Sequence, residues 1–460
     1  MANESLTPAN KPPLKALSQR LEELGRRLQR PRGHPRALPN LGRWLRILGP
    51  GLITGAADDD PSGIGTYSQA GAAFGTGLLW MALYMLPLMI AVQEMCGRIG
   101  LVTGKGIASI VKSHYSRRAL RLSVALLLIA NTINIGADLG AMAASTRLLL
   151  PQVPFYPLLI AFALAMIVLE VYVPYPAYAR VLKILALALL AYIVTGIALH
   201  PQWGPLLAAT LIPQFQFTPA YLALVVAMLG TTISPYLFFW QASEEVEESE
   251  LQQAEAPKVE ARRTPAALLQ RLKDLRLDTS LGMIASQVTT WFIIMTASST
   301  LHAHGITNIQ TADQAAAALQ PFAGRFAETL FAVGIVGTGL LAIPVLAGSA
   351  AYGVAEAFGW AEGLGQRAAN ARGFYAVIAL ATLVGLFLNF LGINPITALV
   401  YTAIINGVVA VPLLVLILLV ANNRAIMGDY TNGRLSNVIG VLTALFMSLA
   451  AVFTLGSLFG

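Results

Sequence analysis

"GAADDDPSGIGTYSQAGA", residues 55–72, sets three consecutive carboxylates, Asp58, Asp59 and Asp60, before a proline and several glycines, with apolar sequence on both sides. Charged side chains are costly in hydrocarbon and rare in spanning helices. Pro61 has no backbone N–H, and Gly63 and Gly65 tolerate non-helical dihedrals, so a helix entering this stretch stops there. The stretch predicts a helix broken within its span, with carbonyls near residues 55–60 freed from helical pairing. Freed carbonyls at membrane depth are tolerated only where protein buries them or they line a cavity. Carboxylates beside such carbonyls make an oxygen-rich cation site, and this much negative charge suits a divalent ion.

The rest of the chain fits a membrane setting. It has 460 residues, 56% hydrophobic and 12% charged, against about 25% charged in ordinary soluble proteins. Runs of roughly 20 apolar residues, each long enough to cross a bilayer as a helix, recur along it. We read eleven spans, at about 47–72, 76–97, 119–145, 154–173, 178–199, 218–241, 279–300, 327–350, 373–392, 395–420 and 436–457. The first follows a long charged stretch and lacks a small-residue cleavage site, so no signal peptide is expected. With the N-terminus in the cytoplasm, all of the 30 Lys and Arg except Arg147 and Arg325 fall on the inner side. This positive-inside bias predicts an integral protein of the plasma (inner) membrane with an extracytoplasmic C-terminus. It also makes the net charge of +7 a topology signal rather than a sign of nucleic acid binding. The single cysteine, Cys96, excludes an intrachain disulfide framework.

Two segments stand apart from the bundle. Residues 1–45 are rich in Lys and Arg, with Leu14, Leu17, Leu21, Leu24 and Leu28 at helical spacing. They read equally as an amphipathic helix on the anionic inner leaflet or as a flexible tail. Residues 46–460 form the transmembrane domain, whose longest internal loop is read at about 243–278, a solvated charge run. A second span, the sixth, is interrupted at Gly230-Thr231-Thr232-Ile233-Ser234-Pro235. The two breaks lie five spans apart, and an odd number of spans per half forces opposite orientations. Broken segments in corresponding positions of two inverted halves are the sequence pointer to a secondary transporter's midplane site.

Few other polar side chains fall inside spans. Asp138, in "INIGADLGAMAAS", is read either as part of an ion or water pathway or as a local hydrogen-bonding residue. Asn406 either turns its amide oxygen toward the site or bonds between helices. Glu94 and Glu170, near span ends, are expected at the interface. The five histidines, at 34, 114, 200, 302 and 304, all fall outside the membrane centre, so no imidazole is placed there as a proton relay.

"GPG" followed by "DPSGIGTYSQAGA" resembles the first-helix signature of the NRAMP divalent-metal transporters, which reads Asp-Pro-Gly-Asn. "QEMCGRIGLVTGKGI" (93–107), "GADLGAM" and "LHAHG" (301–305) resemble the family's second, third and seventh helices in the same order. The resemblance runs from about residue 49 to the last span. It implies an all-α, LeuT-like integral membrane fold of two inverted five-helix repeats plus one helix, with helices one and six broken. It also implies a metal site at those breaks, with Asp60 at the metal-binding aspartate and Ala57 at the position that gives a backbone carbonyl.

The departures from the family pattern bear on the ion. Gly63 replaces the family's asparagine ligand. On the sixth helix the family's Ala-x-x-Met-Pro-His becomes Thr231-Thr232-Ile233-Ser234-Pro235-Tyr236, and Ala141 replaces an acidic residue three positions after Asp138. A thioether prefers transition metals over Mg²⁺ or Ca²⁺. Losing it while adding Asp58 and Asp59 gives a harder, roomier site, suited to Mg²⁺ that keeps several waters. These features resemble the NRAMP-related magnesium transporter branch.

The expected function is therefore secondary transport of a hard divalent cation, Mg²⁺ before Mn²⁺, without proton coupling. The expected site is Asp60 with Asp59, Asp58, Thr231, Ser234, Gly63, Asn406 and the Ala57 carbonyl, with Asp138 and Tyr236 on the ion pathway. The expected partners are the transported ion and membrane lipid, with no further cofactor; oligomeric state is left open, a monomer being compatible with the sequence. Competing readings are a proton-coupled Mn²⁺ or Fe²⁺ importer, a carrier of a small organic solute, which three aspartates would repel if anionic, and a non-transporting metal sensor. No nucleophile–base pair or phosphate loop points to an enzyme.

Overall fold

The computed structural model describes residues 50–173, 189–255 and 265–459, and they contain helices and no strand. In chain order the principal helices are α1 (Pro50–Asp58), α2 (Pro61–Phe74), α3 (Leu79–Thr103), α4 (Ile107–His114), α5 (Arg117–Leu149), α6 (Phe155–Tyr172), α7 (Leu190–Ala198) and α8 (Trp203–Leu211). They are followed by α9 (Pro219–Thr232), α10 (Pro235–Glu255), α11 (Pro265–Thr300), α12 (Ala327–Phe358), α13 (Arg372–Leu388), α14 (Pro395–Asn422) and α15 (Arg434–Phe459).

Nine helical segments among the described residues are long and apolar enough to cross a membrane. Two places account for the difference from eleven. The first expected span is divided, and its second half, α2, runs on with α3 as one segment, Pro61–Thr103. The fifth, expected at 178–199, falls partly outside the described residues, which retain only α7 of it. The N-terminal tail likewise lies outside them. Most of the segment read as a loop at 243–278 is helical, because α10 continues to Glu255 and α11 begins at Pro265. Glu, Gln and Leu are good helix formers, so the charges of "SEEVEESELQQAE" end the apolar run without ending the helix.

Both breaks have the same local cause. α1 stops at Asp58, Asp60 is extended (φ −66°, ψ 170°), and Pro61 opens α2 in its first turn. α9 stops at Thr232, and Pro235 opens α10. A proline at the first helical position loses nothing by lacking its N–H, whereas mid-helix it would break a bond. Each proline therefore ends one half-helix and starts the next.

Packing places the two breaks against the bundle. α11 lies along α1, α2 and α3, α14 packs on α9, and α5 is flanked by α12, α13 and α14. Backbones meet without intervening side chains at several points, among them one in each broken helix. A Cβ on Gly55 of α1 would sit 2.4 Å from the Gly282 carbonyl of α11, and one on Gly230 of α9 would sit 2.1 Å from the Ala403 carbonyl of α14. Helices in lipid associate through such small-residue contacts, since hydrocarbon offers no hydrophobic drive between them. The largest buried side chains include Trp240, Tyr67 and Tyr236. On the outside, α15 exposes Leu435, Val438, Leu442, Leu445, Leu449 and Phe453, an apolar face suited to lipid.

Candidate metal site

The first break puts Asp60 at the centre of a polar cluster. Its Oδ1 caps α2, accepting from the Gly63 amide at 2.6 Å and from the Ser62 hydroxyl at 2.8 Å. Thr231 Oγ1, from the second break, lies 3.5 Å from the same oxygen and 3.3 Å from Ser62 Oγ. The other oxygen, Oδ2, accepts from Asn134 Nδ2 of α5 at 3.0 Å. Asn134 in turn accepts at Oδ1 from Thr402 of α14, also at 3.0 Å. Three helices thus converge on one carboxylate, with α14 behind Asn134, and the carboxylate is fully buried.

Asp58 and Asp59 face a different partner. Ser286 of α11 donates to Asp58 Oδ2 at 2.6 Å and lies 3.1 Å from Asp59 Oδ1. One hydroxyl carries one proton, so it serves one of these carboxylates at a time, and Asp58 Oδ1 has no hydrogen-bond partner. The three aspartates therefore do not present one convergent set. Among the described residues, no group of three or more His, Cys, Asp or Glu is arranged to hold a metal ion. Any cation held here would draw on hydroxyl, amide and carbonyl oxygens around Asp60.

The second break contributes in three ways. Ser234 Oγ lies 2.6 Å from both the Gly230 and Thr231 carbonyls, so its proton turns back to the end of α9 and its lone pairs stay open. Tyr236 donates from its hydroxyl to the Ala57 carbonyl at 3.0 Å, tying the second break to the first. That carbonyl, expected as a ligand, is thus engaged by the tyrosine where the family pattern has histidine. Gly63 supplies the capping amide and no side chain; a Cβ there would lie 3.3 Å from Thr231 Oγ1.

Asp138, on α5 one turn beyond Asn134, is fully buried with neither carboxylate oxygen in a regular hydrogen bond. Asn406 of α14 is buried with both amide atoms unpartnered and is not bonded to Asp60. Glu94 pairs with Arg98 at 3.9 Å. Glu170, expected at an interface, is instead 3% exposed, because depth along a span does not fix which way a side chain faces. His114, His200, His302 and His304 are exposed.

Two further polar bridges join the half-helices of the two breaks. Tyr67 of α2 lies 3.0 Å from Thr232 of α9, and Thr54 of α1 donates to Gln241 of α10 at 2.6 Å. Asp58, Asp59 and Asp60 are 0, 5 and 0% exposed, so all three carboxylates lie inside the bundle.

Sequence reading missed Asn134 and Thr402. A signal for the first was present: Asn131, Asn134 and Asp138 are spaced by three and four residues, and so share one helix face. Thr402 carried no such signal, since a lone threonine in a spanning helix commonly bonds its own backbone.

Comparison with known proteins agrees with this architecture. The divalent metal cation transporter MntH of Klebsiella pneumoniae (strain 342) is 25% identical over 424 residues, covering 90% of this chain and 95% of that protein. The crystal structure of the Eremococcus coleocola manganese transporter, in complex with an aromatic bis-isothiourea substituted compound, superposes with a TM-score of 0.72. It shares 18% identity and covers 92% of this chain and 89% of its own. MhsT in complex with L-phenylalanine gives a TM-score of 0.50 at 14% identity, covering 88% and 98% of the two chains. The two structural likenesses speak to the fold alone, which is helical without strands among the described residues and LeuT-like. The profile of the Nramp family, natural resistance-associated macrophage protein-like, matches residues 51–457, and the chain belongs to that family.

Proposed function

We propose that the protein is a divalent-metal transporter working by alternating access, and that its preferred cargo is Mg²⁺, with Mn²⁺ second and no proton coupling. The relatives named for divalent metal and manganese transport support the broad class. One observation supports the finer reading: every side chain bonded to Asp60 (Ser62, Thr231 and Asn134) offers oxygen or nitrogen, and none offers sulfur. Oxygen donors favour Mg²⁺ and Mn²⁺, whereas thioethers favour softer metals. In this reading Asp60 holds the ion or its waters, with Ser62, Thr231 and Ser234 lending lone pairs. Asp58 and Asp59 draw cations into the break, and the expected orientation puts the N-terminus in the cytoplasm.

A second reading, proton-coupled uptake of Mn²⁺ or Fe²⁺, is favoured by the Asp58–Ser286–Asp59 arrangement, in which two buried carboxylates share one hydroxyl. Proteoliposomes holding an internal pH indicator separate the two. Mg²⁺ uptake with no internal acidification supports the first. Uptake of Mn²⁺ alone, with acidification, would overturn it in favour of the second.

A further inference from the structure

We propose that Asn134 is a turning ligand of the Asp60 site, supplying an oxygen to the coordination shell of the transported cation, and that Thr402 makes the turn possible. This inference rests on Asp60 being the carboxylate that meets the cation. Asn134 and Thr402 are both fully buried, on α5 and α14, so neither can borrow a partner from bulk water. As seen, the Asn134 amide donates Nδ2–H to Asp60 Oδ2 and accepts at Oδ1 from the Thr402 hydroxyl. A cation on Asp60 repels that N–H and attracts a lone pair.

Half a rotation about the Cβ–Cγ bond reverses the amide. Oδ1 then faces the cation and Nδ2 faces Thr402. In most buried settings such a turn would set donor against donor, which is costly because a buried polar group left unpaired forfeits its full solvation. Here the partner is a hydroxyl, which donates one proton but also accepts through two lone pairs. Thr402 accepts from Nδ2 after the turn, and its own proton passes to the carbonyl one helical turn back, the usual partner of a helical threonine. The pair is thus satisfied in both settings, and an amide that cannot be protonated supplies an oxygen only when the cation calls for it. The other two side chains on Asp60, Ser62 and Thr231, are hydroxyls with the same reversibility, so the whole set can pass from donating to Asp60 to facing a cation.

The test compares wild type with Asn134→Ala, Thr402→Val and Thr402→Ser in liposomes, reading Mg²⁺ uptake for KM and maximal rate. Mg²⁺-dependent thermal stabilisation of each detergent-purified protein is read in parallel. Asn134→Ala should raise the Mg²⁺ KM about tenfold or more, in the range seen when a metal site loses a supporting ligand partner, with the maximal rate changed far less. Thr402→Val keeps the shape but removes Asn134's partner in both settings, leaving a carbonyl unpaired before the turn and the costlier N–H unpaired after it, so it should raise KM in the same direction, and Thr402→Ser should restore it. Should Asn134→Ala not fold, the Val and Ser variants decide alone. An unchanged KM and unchanged Mg²⁺ stabilisation in Asn134→Ala, or in Thr402→Val, would overturn the proposal and leave Asn134 a brace between helices. If wild type moves and binds neither Mg²⁺ nor Mn²⁺, the reading of Asp60 itself falls, and this proposal with it.

Discussion

Asp60 performs two tasks that substitution can separate. Its Oδ1 caps α2 through the Gly63 amide at 2.6 Å, and its charge faces Asn134, Ser62 and Thr231. Asp60→Ala removes the cap, worth about 0.5–2 kcal/mol, and leaves Asn134 Nδ2 buried without an acceptor, about 1–3 kcal/mol. Ser62 loses less, because its hydroxyl can turn to Thr231. The alanine variant should therefore lose about 1.5–5 kcal/mol of stability. Asp60→Asn behaves differently. Asparagine caps helices as well as aspartate does, and its new amide meets an Asn134 amide that can turn to accept, with Thr402 accepting behind it. Its stability cost should stay below about 1 kcal/mol, one net hydrogen bond. Transport should be lost alike in both, by more than the roughly tenfold to hundredfold cost of removing a mere supporting partner, because both remove the negative charge. The assays are denaturant unfolding of purified protein and Mg²⁺ uptake into liposomes. Asp60→Asn transporting at near wild-type KM would refute the assignment of the charge to the ion. Asp60→Ala unfolding at the wild-type midpoint would refute the capping argument.

Two further expectations concern the frame. Gly230→Ala puts a Cβ 2.1 Å from the Ala403 carbonyl and 2.2 Å from the Gly407 amide nitrogen, backbone that no rotamer change relieves; overpacking of about 1–3 kcal/mol or more should reduce folded yield and transport together, while Gly77→Ala, whose Cβ would find only Phe74 at 3.8 Å, should change stability by less than about 0.5 kcal/mol. Equal yields of the two variants would count against the tight α9–α14 crossing. Glu362, in the segment after α12, lines a cavity of about 510 Å³ with Glu247, Glu250 and Glu356, and burial, then those three charges, push its carboxyl up to about 8. A raised carboxyl means the folded state holds the proton more tightly, so stability is lost as pH rises from about 5 to 8; in denaturant midpoints read across that range, Glu362→Gln should fall less than wild type, and parallel pH profiles would contradict the burial argument.

The broken helices were legible in the sequence because Pro61 and Pro235 stand beside glycines and clustered polar residues; proline alone is not the signal, since Pro87, Pro344 and Pro412 lie inside α3, α12 and α14. Which aspartate sits at the centre was legible only through family resemblance. Between α1 and α2 the chain follows no 3.6-residue period, so spacing cannot say that Asp60 turns to Asn134 while Asp58 and Asp59 turn to Ser286. The supporting residues were hidden for another reason. Asn134 and Thr402 lie 268 positions apart in the chain, and only the docking of α5 against α14 brings Thr402 to the amide that meets Asp60. The helical form of the segment after the sixth span is not legible from its charge, which marks solvation and not backbone shape, although "SEEVEESELQQAE" is composed of residues that suit a helix.

The glycine contacts have a mechanical meaning. Where Gly55 meets Gly282, Gly71 meets the Ile294 carbonyl and Gly230 meets the Ala403–Gly407 stretch, backbone lies on backbone, and there is no layer of side chains to shear. Both halves of the first broken helix, α1 and α2, are therefore riveted to α11, and α9 is riveted to α14. A displacement of α1 and α2 would carry α11 along, and one of α9 would carry α14. The non-helical stretches beside Pro61 and Pro235, where the cation is expected to sit, belong to these two groups. An ion bound there would act as a clamp between them.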